Sequence, residues 1–265
     1  MATSQVLATL GAGAVIGLVL GLVGGGGSIL AVPLLVYGVG VQSTHAAIGT
    51  AAVAVAANAA TGLLGHAREG TVKWPCAIVF ALSGVLGAAV GAEFGKAMDG
   101  ARLLTLFGIL MIGVGLSMLR PRRAAEAPDV RLSRATASTL LPRLVPIGFG
   151  VGLAAGFFGI GGGFLIVPGL MAATAMPLRN AVGTSLVVVT ALGTTTATSY
   201  ALSGLVDWRL VALMILGGIA GTALGLALGR RMATHKQFLE RVFGLAVVAV
   251  GFYIASQAFI GAAGA

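Results

Sequence analysis

Long apolar runs separated by short polar joints define the chain. Apolar segments fall at about 7–37, 44–65, 75–95, 102–119, 144–173, 181–203, 208–229 and 240–260. Most of them approach the roughly 20 residues that carry a helix across about 30 Å of hydrocarbon. The first and the fifth are longer, about thirty residues each, and each contains a glycine run that should cost helix stability.

Those two glycine runs belong to an internal repeat. GLVGGGGSILAVP at 21–33 aligns with GFFGIGGGFLIVP at 156–168, at an offset of 135. With one residue of slippage, Gly49-Thr50 meets Gly183-Thr184 and Trp74 meets Trp208. The register continues through Gly84, Gly87, Gly91 and Gly95 onto Gly218, Gly221, Gly225 and Gly229, and then, after a two-residue insertion, from Gly108 and Gly115 onto Gly244 and Gly251. Two copies of one four-segment unit are expected, as a first membrane repeat at 1–119 and a second at 144–265. Between them lies the polar stretch 120–143, with Pro121, Pro128, Pro142 and six arginines, which reads as a cytosolic linker.

The basic residues choose between two topologies. If all eight segments cross, Lys and Arg divide nine to seven between the two sides, which gives almost no orientation signal. If 7–37 and 144–173 each enter, break at the glycines and return, the division becomes thirteen to three. The positive-inside rule then places the linker in the cytosol and both termini outside. Each half has three full spans plus one re-entrant hairpin made of two half-helices of about 13 residues, and an odd number of full spans makes the repeats inverted. The alternative is a single long tilted helix with a glycine joint. The fold class is therefore an all-α integral membrane protein with two inverted repeats of about four helical segments each, the first segment of each repeat broken or re-entrant at its glycine cluster.

Composition agrees. Of 265 residues 58% are hydrophobic and only 9% charged, with a mean hydropathy of +1.05, whereas a soluble domain carries roughly a quarter charged residues. The net charge of +9 sits in loops, which argues for topology control and against nucleic acid. The single cysteine, Cys76, excludes an intrachain disulfide and a multi-cysteine metal site. No His, Asp and Glu have metal-ligand spacing, and no Ser, His and acid form a nucleophile context, so neither an enzyme nor a cofactor is expected.

A helix that stops inside a bilayer leaves backbone groups unpartnered, at several kcal/mol each in hydrocarbon, unless they face a polar cavity or a ligand. Here the released N–H groups lie near Gly24, Gly25, Gly26, Gly27 and Ser28, and near Gly159, Gly161, Gly162 and Gly163. Glycine lets a ligand touch the backbone, and donors at a helix N-terminus favour anions without a fixed cation. No Lys or Arg lies mid-segment. Close helix packing is the alternative reading of the glycines.

Thr50, Asn58, Thr184 and Ser185 are polar positions that could line the same path, with Thr61 and Thr190 to Thr196 as further candidates. Asn58 is the most informative, because an amide in hydrocarbon needs partners; the threonines can instead bond back to their own helix. The four-residue glycine spacing at 87, 91 and 95 and at 217, 221, 225 and 229 reads as a packing ridge. It is expected to pack the third segment of each unit against its own hairpin or its symmetry mate. Glu93 could reach the interface toward Lys96 or carry a proton.

At GLVGGGGSILAVP with HAAIGT (45–50), and at GFFGIGGGFLIVP with RNAVGTS (179–185), the sequence resembles the sulfite exporter TauE/SafE-type membrane permeases, over about residues 7–258. Gly24 to Ser28 with Pro33, and Gly159 to Gly163 with Pro168, match the family motif; Ile160 departs from the glycine at position 25, so the two nests are not equivalent. The resemblance implies a multi-pass inner-membrane transporter of small sulfur-containing anions such as sulfite or organosulfonates. The functional expectation is a secondary transporter working by alternating access, with membrane lipid as its surroundings and protons as a candidate coupling ion. The rivals are a passive anion channel and a non-transporting membrane scaffold.

Overall fold

The computed structural model describes residues 3–23, 25–119, 130, 132–159, 163–231 and 236–263. Among these residues there are helices and no strands. The helices are α1 (Thr3–Val23), α2 (Gly27–Val39), α3 (Thr44–Arg68), α4 (Trp74–Ala97), α5 (Gly100–Leu119), α6 (Arg134–Phe158), α7 (Gly163–Thr174), α8 (Leu178–Leu202), α9 (Trp208–Arg231) and α10 (Lys236–Ala263). Seven of them, all but α2, α7 and α10, are long and apolar enough to cross a membrane.

Local chemistry sets several boundaries. Ser43 caps α3, its side chain accepting from the Ala46 amide at 3.3 Å, and Pro75 opens α4, where its missing N–H costs nothing. Ser133 and Thr136 form a capping box that starts α6. That helix therefore begins inside the stretch expected to be linker, and 134–143 are helical; residues 120–129 and 131 lie outside the described residues.

Both long apolar segments divide at their glycines. α1 stops at Val23, and the chain continues as a 3-10 turn at Gly25–Leu30, a short α stretch at Ala31–Pro33 and a π turn at Leu34–Val39. α6 ends on Gly159 with φ +65°, a left-handed value that glycine adopts without a Cβ penalty. A methyl there would also collide with Ile48. The expectation of paired half-helices is corrected: the entering limbs, α1 with 21 residues and α6 with 25, are full-length, and only the returning limbs α2 and α7 are short. The entering limbs stay long because each lies along a full-length glycine-faced neighbour.

Those neighbours come from the other half. α1 runs parallel to α9, Gly13 lying on Met214, Gly17 on Gly218 and Gly21 on Thr222. α6 runs parallel to α4 in the same way, Gly148 lying on Phe80, Gly152 on Gly84 and Gly156 on Ala88. At most of these points backbone meets backbone so closely that a methyl has no room, the close approach small residues allow. The ridges thus pack against the hairpin of the opposite half, which neither expected partner describes.

Two further pairings join helices that occupy equal places in the repeat. α3 passes α8 antiparallel, with Gly62 at Leu186 and Gly193 at Ala56. α5 passes α10 antiparallel, with Gly108 at Gly251 and Gly115 near Gly244. α3 also runs parallel to α9, and α8 parallel to α4. The molecule consequently has one end bearing Trp74 and another bearing Trp208, both indoles partly exposed, as suits side chains that favour membrane interfaces.

Candidate functional site

The 3-10 turn at Gly25–Leu30 lies against α7, so the two returning limbs meet. Gly27 fixes the elevation of the first break: a methyl there would come within 2.7 Å of both the Ile16 carbonyl oxygen and the Leu20 amide of α1. Those residues bracket Gly17, which faces Gly218 in the middle of α9. Gly27 therefore also does the packing job that the alternative reading gave it, letting α2 fold back on α1. Ser28, next in the chain, is buried, and so is Gly163 at the start of α7. Gly24, Gly161 and Gly162 lie outside the described residues, while Gly25 and Gly26 fall in the 3-10 turn and Gly159 caps α6. The 3-10 bonding over Gly25–Leu30 ties the amides of Ser28, Ile29 and Leu30 to carbonyls three residues back, so donors without an intrahelical partner are confined to the start of the turn.

The Gly-Thr pairs have a use that the sequence pattern concealed. The Lys73 amide donates to Thr184 Oγ1 at 3.0 Å, and the Asp207 amide donates to Thr50 Oγ1 at 3.0 Å. Thr50 and Thr184 are 134 residues apart, and so are Lys73 and Asp207. Each threonine thus holds the loop that leads into the tryptophan helix of the other half. The glycine before it lets the loop approach: Gly49 abuts the Leu205 carbonyl and Gly183 abuts Thr71, with no room for a methyl. At the Trp74 end the hold is reinforced, because Asn180 Nδ2 donates to the Thr71 carbonyl at 2.9 Å and Arg179 faces Glu69 at 3.8 Å. The equal offsets of these four residues were a readable signal that residue type alone did not carry.

Ser185 donates to the Val182 carbonyl at 2.7 Å within its own helix. Asn58 is fully buried between α3 and α9. Its Nδ2 donates to the Met214 carbonyl at 3.5 Å, the outer limit of a hydrogen bond, and its Oδ1 has no partner among the described residues. About two turns further along α9 from Met214, the Thr222 hydroxyl is likewise buried and without a partner among the described residues. Among the described residues no cluster of three His, Cys, Asp or Glu could hold a metal.

Known proteins place this architecture. Residues 9–254 match the family described as sulfite exporter TauE/SafE. The chain belongs to that family. TauE/SafE relatives include a probable membrane transporter protein of Xylella fastidiosa (strain 9a5c), 50% identical over 254 residues that make up 96% of each chain. The probable membrane transporter protein YunE of Bacillus subtilis is 30% identical over 84% of this chain and 88% of its own length. A more distant one, MJ0441 of Methanocaldococcus jannaschii, is 27% identical over 67% of this chain. No solved structure matches significantly. This TauE/SafE chain is accordingly a multi-pass membrane transporter.

Proposed function

We propose that the protein is a secondary transporter of small sulfur-containing anions, such as sulfite or an organosulfonate, that works by alternating access in the inner membrane. The observation that carries the reading is the contact of the Gly25–Leu30 turn, where α2 starts, with α7. Two helix beginnings directed at one region offer backbone donors and the positive ends of two dipoles, with no lysine or arginine needed. The anion would sit between Gly24–Ser28 and Gly159–Gly163. Asn58, whose Oδ1 is buried without a partner among the described residues, would contribute its amide, and Thr50, Thr184 and Ser185 would act as the supports of that core. The family description, sulfite exporter, supports a sulfur-containing anion as the solute.

The repeats are inverted in this reading. Support comes from the antiparallel course of the equivalent helices α3 with α8 and α5 with α10, since a parallel repeat would send equivalents the same way. The thirteen-to-three division of basic residues then puts the Trp74 end and residues 120–143 in the cytosol.

Proteoliposomes loaded with sulfite, thiosulfate, sulfate or a sulfonate test the proposal, with and without a pH gradient. Saturable flux of at least one sulfur anion is expected, and acceleration by the gradient would identify protons as the coupling ion. Gly26→Val and Gly162→Val should each reduce that flux at least about tenfold while the protein still inserts, the loss of about 1.4 kcal/mol of anion stabilisation. Normal flux in either variant would remove the glycine breaks from the mechanism; flux that never saturates would point to a channel.

A further inference from the structure

The Trp208 end holds a cleft of about 500 Å³ between the last turns of α4 and α8, lined by Glu93, Lys96, Leu202 and the hydroxyls of α8. A carboxylate and an ammonium at such a place in an apolar segment mark a functional position by default. Glu93 and Lys96 face each other there at 2.7 Å, which satisfies the expectation that Glu93 reaches Lys96. Lys96 Nζ also donates to Ser203 Oγ at 3.1 Å, and Ser199 Oγ donates to Glu93 Oε1 at 3.0 Å.

The remaining hydroxyls are already committed as donors. Thr194 donates to the Thr190 carbonyl at 2.7 Å, Thr195 to Ala191 at 2.9 Å, Thr198 to Thr194 at 2.8 Å and Ser203 to Ser199 at 3.1 Å. A hydroxyl whose proton is spent on a carbonyl turns lone pairs outward. The α8 side of the cleft therefore presents acceptor oxygens opposite one carboxylate, with Leu202 and apolar side-chain stems making up the rest of the lining. A second feature has the same sign: α4 and α8 run parallel and both end here, so two negative dipole ends converge on the cleft. The Trp74 end differs in arrangement: Ala227, Leu64 and Gly65 stand where Glu93, Thr198 and Ser199 do, while Arg230, Thr61 and Glu69 take the places of Lys96, Thr195 and Ser203; there Glu69 faces Arg179 and Leu226 lies over Gly65.

We infer that this cleft is a binding site for a small monovalent cation of sodium's kind, with the Lys96 ammonium as a tethered occupant that the free ion displaces from Glu93. Hard cations take oxygen ligands, and Glu93 with the hydroxyls of α8 supplies enough of them. One carboxylate balances one positive charge, so a divalent ion is poorly matched. An anion would meet the Glu93 carboxylate and the lone pairs of the α8 hydroxyls. The site does not depend on which solute is transported, and its test reads binding and not flux, so failure of the anion reading leaves it standing.

The test compares thermal unfolding of the purified protein in sodium chloride and in choline chloride at equal ionic strength, together with equilibrium binding of radiolabelled sodium. Sodium should raise the melting temperature of the wild type and bind to it saturably. Lys96→Met, which removes the competitor, should respond at about tenfold lower sodium. Glu93→Gln should lose both responses; if that variant does not fold, Ser199→Ala should weaken sodium binding about tenfold. Identical behaviour in sodium and choline for both wild type and Lys96→Met overturns the inference. So does undiminished sodium binding in Glu93→Gln or in Ser199→Ala.

Discussion

Asn58 and Gly218 show how much one position can ask of another. The amide fills the space that a side chain at 218 would need, yet it gains only one long hydrogen bond. At the equivalent place in the other half the chain carries Leu192, which is buried in the core without any amide. Asn58→Leu should therefore leave the melting temperature unchanged or raise it, because it removes a buried oxygen that lacks a partner. The same change should depress anion flux; full flux would show that the amide has no part in transport. Gly218→Ala is the converse case. Its methyl collides with Asn58, an overpacking that costs about 1–3 kcal/mol, and Asn58→Ala in the same chain should restore part of the loss in a double-mutant melting cycle. That Asn58 was buried and short of partners was legible from an amide in an apolar run. Its opposition to a glycine 160 positions further along was not, because a glycine announces only that something comes close.

The helices divide by what their glycines touch. Gly152 lies on the Gly84 backbone, whereas Gly150, two residues away on the same helix, has nothing near it. Gly152→Leu should wedge α4 from α6 and cost at least about 3 kcal/mol, read as loss of a monodisperse, cooperatively melting species in detergent. Gly150→Leu should melt like the wild type. Apolar run lengths and glycine spacing were enough to place most helices and to mark where the two long segments break. They did not reveal that α1 and α6 continue at full length, since a run of thirty apolar residues reads alike whether it divides evenly or not. Nor did they reveal Ser133 and Thr136 starting α6 early, because a capping box in a basic, proline-bearing stretch looks like linker.

Across the whole molecule, α1 rests on α9 and α6 on α4, and the loops entering α4 and α9 are each held by a threonine from the opposite half. Reporter domains fused within 120–143 and after the last residue should appear on opposite sides of the membrane, since α5 and α10 run antiparallel; appearance on one side would rule out the inverted arrangement. The repeat itself was readable from the recurrence of glycines and tryptophans, but its mode of assembly was not, because matched positions say which residues are equivalent and not which ones touch. Neither half covers its own glycine faces. In the inverted arrangement proposed above, a lone half would leave those faces open to lipid, and the second half of the same chain is what closes them.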